Sequence, residues 1–242
     1  MNQDVLRYSR NQEAITLKEQ SILKEASVLI IGCGGLGGYV IEELTRIGVG
    51  RLTVWDGDKF ETSNLNRQLL ALDSTLDQGK APTAAERVKA INPETRVEAI
   101  DHFFAGSEAD QAIIARHQVV VDALDSISAR MALARCCRNA GVMLVHGAVG
   151  GWWGQVAVIS PGDKTLEAVY PDVSRNKGCE QKVGCLVMSV AAVATLEAAE
   201  AVKILLGRPH LPAGQLLIID LLNSSLQTVE IPAFLDTPGD GQ

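Results

Sequence analysis

Long apolar runs and basic charge are both scarce in this 242-residue sequence. No apolar run reaches the roughly 18–20 residues that a helix needs to cross a bilayer, and the polar first ten residues lack the apolar core of a secretory signal. We therefore expect a cytoplasmic protein with no membrane partner. The 22 Lys and Arg against 29 Asp and Glu leave a net charge of −7. This balance disfavours nucleic-acid binding, which relies on basic side chains to neutralise phosphates.

The cysteine pattern lacks the features of a disulfide framework and of a structural zinc site. The five cysteines are an odd number and two of them are adjacent: Cys33, Cys136, Cys137, Cys179 and Cys185. A framework of disulfides uses an even count, and the expected cytosolic compartment is reducing. Structural zinc sites usually carry two separated Cys-x-x-Cys pairs, and the sequence has none. We expect neither disulfides nor structural zinc.

Strand-length apolar runs alternate with helical patterns along the first 150 residues. The expected strands are Val28–Ile31, Leu52–Trp55, Arg96–Ile100, Val119–Val121, Val142–Val145, Val156–Ile159, Leu216–Ile219 and Leu226–Ile231. The expected helices are Leu36–Ile47, Ala81–Ile91, Ala109–Ala115, Ser128–Asn139 and Leu186–Leu206. The alternation predicts an α/β fold: a doubly wound, Rossmann-like, mostly parallel sheet covered on both faces, with an antiparallel C-terminal extension. The stretch Pro161–Gly184 is expected to be a loop.

A glycine-rich turn follows the first expected strand. In the segment GCGGLG, Gly32, Gly34, Gly35 and Gly37 open a helix directly after that strand. Without a Cβ the chain turns tightly and lets a phosphate approach the backbone, and the helix N-terminus supplies free N–H groups. Asp56 ends the second strand, where a carboxylate accepts hydrogen bonds from ribose hydroxyls. A turn needed only for strand–helix packing is the alternative, and the ribose and phosphates of NAD or of ATP would satisfy the same groups.

A cluster of polar side chains lies beyond the end of the second strand and before any further strand. The cluster consists of Asp58, Asn64, Arg67, Gln68 and Lys80. Arg67 and Lys80 can neutralise the charge of a triphosphate. Either residue alone would be interpreted as an ordinary solvated loop charge. The pair, placed after the glycine-rich turn, favours a nucleotide triphosphate as the ligand.

Several motifs, taken in order, resemble those of a known family. They are RYSRN (7–11), GCGGLG (32–37), GVGRLTVWDGD (48–58), NLNRQ (64–68), DQGK (77–80), INP (91–93), VVDALDS (120–126) and TLEAAEAVK (195–203). Together they resemble the ubiquitin-activating-enzyme-like adenylyltransferases, which include the ThiF, MoeB and HesA proteins of sulfur-carrier activation. The resemblance extends from residue 5 to about residue 207, nearly the whole chain.

The resemblance implies an activity, cofactors and partners. Family members bind ATP with Mg²⁺ and join AMP to the C-terminal glycine carboxylate of a small ubiquitin-like sulfur carrier that ends in Gly-Gly. Pyrophosphate is released. By the same resemblance we expect a homodimer and a single domain over residues 1–242. Residues from about 26 to 150 would then bind the nucleotide, and residues from about 151 to 232 would dock the carrier and form the dimer.

The resemblance also implies roles for individual residues. Asp56 would bind the ribose, while Asn64, Arg67 and Lys80 would surround the phosphates. The physical chemistry agrees with these roles, because a carboxylate and a triphosphate repel each other unless cations and oriented donors neutralise the charge. No covalent nucleophile is needed for the first step, since positioning and charge neutralisation suffice.

Two further roles follow from the resemblance and have ordinary alternatives. Asp125 in ALDS matches the family aspartate that holds magnesium, although it could instead cap the helix that begins near Ser126. Asp122 ends the same strand and is the competitor for the metal. Arg10 matches an arginine that reaches the γ-phosphate from the other subunit, and its alternative is an ordinary surface residue.

The sequence departs from the family pattern in three places. Ser126 stands where the family usually has the asparagine of TDN, which changes the contacts beside Asp125. DQGK replaces GQPK, which alters the loop and keeps the lysine at position 80. The two Cys-x-x-Cys zinc pairs of many relatives are absent, so the sequence resembles a zinc-less member whose antiparallel part is held by packing alone.

One cysteine is a candidate for catalysis by resemblance. Cys179 lies just before the long helix, nearly where the thiamine branch of the family has a cysteine that takes part in carrying the activated carrier end or sulfur. The dipole of the following helix would favour a thiolate there. Cys185, at the start of that helix, has a comparable claim. We name Cys179 as the candidate and Cys185 as its competitor.

Three other functions compete with carrier adenylation. The tRNA threonylcarbamoyladenosine dehydratase branch adenylates a carboxylate on tRNA, which an acidic chain suits poorly. An NAD-linked oxidoreductase needs an acid–base group beside the nicotinamide, and the sequence nominates none. A non-catalytic docking protein would not be expected to retain the set Arg10, Arg67, Lys80 and Asp125.

Overall fold

The computed structural model describes residues 6–172 and 183–231. The strands in these ranges are β1 (Ser27–Ile31), β2 (Arg51–Trp55), β3 (Arg96–Ile100), β4 (Val119–Asp122), β5 (Met143–Gly150), β6 (Trp153–Ile159), β7 (Gln215–Asp220) and β8 (Ser225–Glu230). The helices are α1 (Leu17–Glu25), α2 (Gly35–Ile47), α3 (Lys80–Ile91), α4 (Glu108–Ile114), α5 (Ile127–Ala140), α6 (Thr165–Val169) and α7 (Val187–Leu205). Within the described ranges, no helix combines the length and the apolar character needed to cross a membrane.

The strands form one eight-stranded sheet in the order β3-β2-β1-β4-β5-β6-β7-β8. The first five strands in this order, from β3 through β2, β1 and β4 to β5, pair in parallel. The pairs β5–β6, β6–β7 and β7–β8 are antiparallel. This confirms the fold class expected from the sequence. The chain order reverses between β1 and β4, so the connections after these two strands diverge. In open α/β sheets, the crevice that this divergence leaves at the carboxyl edge is where ligands bind.

Helices cover both faces of the sheet. Helices α2, α3 and α7 pack on one face, and α4, α5 and α6 pack on the other. Strand β1 shows the consequence: Val28 and Ile30 belong to the first core cluster, whereas Leu29 and Ile31 belong to the second. Because each face of the strand meets a helix layer, every position of β1 is buried, and all of its residues after Ser27 are apolar.

Two elements differ from the sequence-based expectation. The stretch Pro161–Gly184, expected to be a loop, contains the short helix α6. The carboxylate of Asp163 accepts hydrogen bonds from the Thr165 N–H and hydroxyl, both at 2.6 Å, which begins that helix. Five residues are too few to show a helical period. Strand β5 continues to Gly150 instead of ending at Val145, because β6 pairs with it along its whole length.

The turn between β1 and α2 leaves no space for side chains at two of its glycines. Gly32 has a φ of +99°, and a Cβ there would lie 2.3 Å from the carbonyl oxygen of Ala123. A Cβ on Gly37 would lie 1.8 Å from the carbonyl oxygen of Gly32. Both neighbours are backbone atoms, which have little freedom to move. Gly38, the next residue of α2, differs because a Cβ there would make ordinary contacts at 3.6 Å.

One carboxyl group lies fully buried in the core. Glu197 on α7 points at β5, where Gly147 leaves it space: a Cβ on Gly147 would lie 2.3 Å from the Glu197 carboxyl carbon. Among the described residues, neither carboxyl oxygen of Glu197 has a hydrogen-bond partner. Burial, with a smaller effect from the charge of Asp122, raises the pKa of Glu197 well above its usual range. Burial therefore favours the protonated form of this carboxyl group.

The glycine turn can be tested with two alanine substitutions on the same helix. Gly37→Ala should lower the free energy of unfolding by about 2–3 kcal/mol, because the new methyl group overlaps backbone. Gly38→Ala adds the same methyl group where there is space and should be neutral or stabilise by up to about 1 kcal/mol, because alanine favours the helix. Urea denaturation measures both values, and equal effects at the two positions would contradict the role assigned to the turn.

The buried carboxyl group predicts a pH-dependent effect of Glu197→Gln. The folded pKa lies above the unfolded value near 4.5, so the stability that protonated Glu197 contributes is complete below that pH and is lost as the pH rises towards the folded pKa. Glutamine does not titrate. The variant should therefore gain stability relative to the wild type between pH 5 and pH 8, by up to about 1.4 kcal/mol per pH unit. Urea unfolding at several pH values measures this gain, and a difference independent of pH would refute it.

Candidate functional site

A cavity of about 520 Å³ opens at the carboxyl edge of the sheet, where the chain order reverses. Its floor is formed by the residues that follow β1, β2 and β4. Of the residues named from the sequence, those that line the cavity are Gly32, Gly34, Gly35, Asp56, Asp58, Arg67, Gln68, Lys80, Asp125, Ser126 and Cys185. Residues 93 positions apart in the sequence, Gly32 and Asp125, therefore meet at one site.

The N-terminus of α2 faces this cavity without a capping side chain. Gly34 is the N-cap residue and makes no side-chain cap hydrogen bond, and both Gly34 and Gly35 line the cavity. The first backbone N–H groups of a helix have no partner within the helix, and the positive end of the helix dipole lies beside them. This end of α2 is suited to bind an anion such as phosphate. Gly37 does not line the cavity, and its contact with Gly32 shows that it serves the packing of the turn.

Asp56 is held at the end of β2 by two backbone donors. Its Oδ2 accepts a hydrogen bond from the Cys33 N–H at 2.7 Å, and its Oδ1 accepts one from the Asp58 N–H at 2.8 Å. Burial raises the pKa of Asp56, and these two hydrogen bonds oppose the rise. Each carboxylate oxygen has a further lone pair. The side chain can therefore accept hydrogen bonds from ligand hydroxyl groups in the cavity.

Two cationic side chains reach the cavity from the segment after β2. The Lys80 ammonium group is buried and lies 3.1 Å from the Asp58 carboxylate. Arg67 is half-buried, and its guanidinium donates from Nη1 to the Ser63 carbonyl at 3.0 Å and to Asn66 Oδ1 at 2.8 Å. Gln68 lines the same wall, and its buried Oε1 has no hydrogen-bond partner among the described residues. An anion at this wall would meet positive charge from both Lys80 and Arg67.

Besides Gly37, the candidate residues Asn64 and Arg10 do not line this cavity. Asn64 is buried, and its Oδ1 accepts a hydrogen bond from the Glu61 N–H at 3.0 Å, an arrangement that stabilises the local turn. Arg10 is exposed near the start of the chain. Cys179 lies outside the described residues, whereas its competitor Cys185 lines the cavity.

The loop after β4 decides between the metal-binding role of Asp125 and its two alternatives, which are a helix-capping role for Asp125 and metal binding by Asp122. Ser126, not Asp125, is the N-cap of α5: its hydroxyl accepts a hydrogen bond from the Ala129 N–H at 3.3 Å. The capping role considered for Asp125 is therefore wrong. Asp122 is fully buried and its Oδ2 lies 2.8 Å from His146 Nδ1. Asp125 is exposed and lines the cavity.

The donor set around the cavity fits magnesium better than a metal held by protein alone. Within the described ranges, no group of three or more His, Cys, Asp and Glu side chains could hold a metal ion. Mg²⁺ usually takes one or two carboxylates together with substrate phosphates and waters. Asp125, an exposed carboxylate that lines the same cavity as the α2 N-terminus, fits that requirement.

Sequence reasoning missed an aromatic wall of the cavity. Trp55, Phe103 and Phe104 line it, and the Trp55 and Phe104 rings meet edge to face with centroids 5.6 Å apart. The Trp55 Nε1–H donates to the His102 carbonyl at 2.7 Å, which orients the indole. The adjacent pair Phe103–Phe104, half of the four phenylalanines in the chain, follows the end of β3 after two residues. Its place at the carboxyl edge of the sheet was the signal that could have identified it.

Arg130 was also missed. It lines the cavity from the first turn of α5 and is buried. Its Nε and Nη2 both donate to the Leu124 carbonyl, at 2.9 and 2.6 Å, so the guanidinium holds the loop that carries Asp125. An arginine within a helical sequence carries no local signal that distinguishes a buried side chain from a solvated side chain.

The two neighbouring residues of this loop can be separated by stability measurements. Ser126→Ala should destabilise the protein by about 1 kcal/mol, the usual effect of losing an N-cap. Asp125→Ala should change stability by less than about 0.5 kcal/mol, because the side chain is exposed. Thermal or urea unfolding measures both. A loss at Asp125 as large as that at Ser126 would restore the capping role.

Comparison with known proteins agrees with this geometry. Residues 8–237 match the ThiF family. The chain is 32% identical over 240 residues to the SAMP-activating enzyme E1 of Haloferax volcanii, covering 98% of this chain and 88% of the relative. It is also 32% identical over 237 residues to the molybdopterin-synthase adenylyltransferase of Escherichia coli K12, covering 95% and 94%. The solved E. coli tRNA N6-threonylcarbamoyladenosine dehydratase, TcdA, has a TM-score of 0.72 and 26% identity over 86% of this chain and 97% of that one. The chain belongs to the ThiF family.

Proposed function

We propose that this protein uses ATP to adenylate the C-terminal glycine of a small ubiquitin-like sulfur-carrier protein and releases pyrophosphate. The observation that carries the proposal is the composition of one cavity: an uncapped helix N-terminus, the ribose-type acceptor Asp56, and the cations Arg67 and Lys80. The relatives named as a SAMP-activating enzyme and a molybdopterin-synthase adenylyltransferase support the same reaction class.

Repulsion between the negative charges of the carrier carboxylate and of the α-phosphate opposes the reaction. A carboxylate oxygen of the carrier attacks the α-phosphorus, a new C(=O)–O–P bond forms, and the bond to the β-phosphate oxygen breaks as pyrophosphate leaves. Both reactants are anions, so neutralising cations and oriented N–H donors lower the barrier. We assign Lys80, Arg67 and the first amides of α2 to the phosphates. Asp56 binds the ribose hydroxyls, and its two backbone hydrogen bonds hold it in place for that role.

Several further assignments belong to this proposal. When bound, Mg²⁺ would neutralise charge on the phosphates, and Asp125 would hold it. Asn64 would act near the phosphates through the turn that carries Arg67, because the Asn64 carbonyl accepts the Arg67 N–H at 3.1 Å. Arg10, exposed on one subunit, would reach the γ-phosphate of its partner in a homodimer.

The remaining assignments concern the rest of the chain. Residues from about 26 to 150 would bind the nucleotide and those from about 151 to 232 would dock the carrier and form the dimer, as parts of one domain in a cytoplasmic enzyme. Cys179 remains the candidate for sulfur or acyl transfer, and Cys185, which lines the cavity, remains its competitor.

Two alternatives are less consistent with the site. An NAD-linked oxidoreductase would not need the buried lysine and the arginine beside the phosphate-binding turn. A tRNA-directed enzyme of the TcdA type shares the fold, but the chain carries a net charge of −7, and tRNA binding requires basic surface. ATP turnover stimulated by tRNA and not by any carrier would favour that second alternative.

The proposed function predicts ATP–pyrophosphate exchange that depends on a carrier ending in Gly-Gly. Lys80→Ala should lower the exchange rate by roughly 100-fold or more, the usual effect of removing one group that stabilises transition-state charge. Lys89→Ala removes an exposed lysine from the same helix and should change the rate less than twofold. The measurement is incorporation of labelled pyrophosphate into ATP with each candidate carrier.

Two outcomes would contradict the proposal. One is an absence of exchange with every carrier tested while the protein is folded and nucleotide is present. The other is a crystal soaked with nucleotide in which Lys80 and Arg67 point away from the phosphates.

A further inference from the structure

Leu124, the residue before Asp125, is held by both of its backbone polar groups. Its N–H donates to Asp122 Oδ1 at 3.1 Å. Its carbonyl accepts two hydrogen bonds from the planar guanidinium of Arg130, from Nε at 2.9 Å and from Nη2 at 2.6 Å. A rigid fork on a single oxygen restricts the direction of the carbonyl as well as its distance. The peptide that leads into Asp125 is therefore clamped from two sides.

The two clamping side chains are joined to each other through the interior. Asp122 Oδ2 lies 2.8 Å from His146 Nδ1, and His146 Nε2 lies 3.1 Å from the Tyr170 hydroxyl. The same hydroxyl accepts a hydrogen bond from Arg130 Nη1 at 3.0 Å. The path thus returns to Leu124 and closes. We call this closed path, through Leu124, Asp122, His146, Tyr170 and Arg130, the Leu124 ring.

The hydrogen-bonding capacity of each group assigns the protons of the ring. Asp122 accepts, so a neutral His146 carries its proton on Nδ1 and its Nε2 is an acceptor. The Tyr170 hydroxyl then donates to His146 Nε2 and uses its two lone pairs for Arg130 Nη1 and Gln155 Nε2, the latter at 3.1 Å. Every donor and acceptor at the hydroxyl is used once. Asp122, His146, Arg130 and Gln155 are all buried, where a fully satisfied network is rigid.

We propose that Tyr170 is a positioning residue for Asp125, acting through Arg130 and Leu124. Asp125 lies between two fixed neighbours: Leu124 in the ring and Ser126, which caps α5. The ring thereby limits where the Asp125 carboxylate can stand in the cavity. This inference rests on the proposed function for the meaning of that position, because the carboxylate would meet the magnesium of a bound Mg²⁺·ATP. Tyr170 lies 45 residues from Asp125 and does not line the cavity itself.

The test uses two substitutions at the Tyr170 hydroxyl: one deletes the hydroxyl, and the other removes one of its hydrogen-bond partners. Tyr170→Phe deletes the hydroxyl and keeps the aromatic side chain, so the hydrogen bond from Arg130 Nη1 to Tyr170 is lost. Gln155→Leu, the matched control, removes another donor to that hydroxyl and leaves the Leu124 ring closed. Calorimetric titration with a non-hydrolysable ATP analogue is done with Mg²⁺ and, separately, with EDTA. Tyr170→Phe should weaken Mg²⁺-dependent binding by roughly 10-fold, as loss of groups that orient a metal ligand does. Binding in EDTA should change less than twofold, and the control should leave both values within twofold.

A second measurement reports on the ring without any ligand. Amide hydrogen exchange at Leu124 should be faster in Tyr170→Phe than in the wild type and unchanged in Gln155→Leu. The midpoint temperature of thermal unfolding should fall in both variants. His146→Asn opens the ring at a second point, because asparagine retains an N–H donor near the Nδ1 position and lacks the Nε2 acceptor. It should repeat the exchange and binding results of Tyr170→Phe, so the test does not depend on one variant folding well.

The outcomes separate this inference from the proposed function. Unchanged exchange at Leu124 in both Tyr170→Phe and His146→Asn would overturn the inference, as would equal loss of Mg²⁺-dependent binding in Gln155→Leu. A wild type that binds no ATP analogue would instead overturn the proposed function, and the exchange rates would still decide whether Tyr170 holds the segment that carries Asp125.

Discussion

The close approach of three backbone segments at the end of β1 is the constraint on which the rest of this structure depends. Gly32 lies against the carbonyl of Ala123, and Gly37 lies against the carbonyl of Gly32, at separations that no Cβ would permit. These contacts bring the N-terminus of α2 beside the loop that follows β4. The amides of the helix, the carboxylate of Asp56 and the loop of Asp125 consequently share one cavity. The glycines permit these contacts because they have no Cβ.

The positive charge at one wall of that cavity is opposite in sign to the net charge of the whole chain. The protein has a net charge of −7, yet Lys80, Arg67 and the end of α2 are concentrated at one wall. Lys80 lies 3.1 Å from Asp58, so its buried ammonium group has an anionic partner. Two cationic side chains and a helix N-terminus at one wall of a cavity of about 520 Å³ favour a small, highly charged anion over an extended polyanion, because only the former fits within the cavity.

The antiparallel half is held by its own ladder and by α7. Strands β5 and β6 pair from Leu144–Ile159 to Gly150–Trp153, and β7 and β8 extend the sheet. Helix α7 packs across α2, β5 and β6, and it joins the parallel and antiparallel parts in one core. The tight contact between Gly154 and Val193, where a Cβ would lie 2.3 Å from the valine methyl, shows how closely the helix lies on β6. The same helix brings Glu197 into the core against Gly147.

The sequence by itself determined the strands, the long helices, the glycine turn and the residues that follow it, because these depend on local period, on the absence of a Cβ and on short motifs. Asp56, Arg67 and Lys80 could be named for that reason. Tertiary structure alone decided that Ser126, and not Asp125, caps α5, and that β5 continues to Gly150. It also decided that aromatic side chains line the cavity and that Tyr170 meets Arg130. The cap is local and depends on where α5 begins. The other features join residues far apart in the chain, and the contact between them exists only once the sheet and both helix layers have formed.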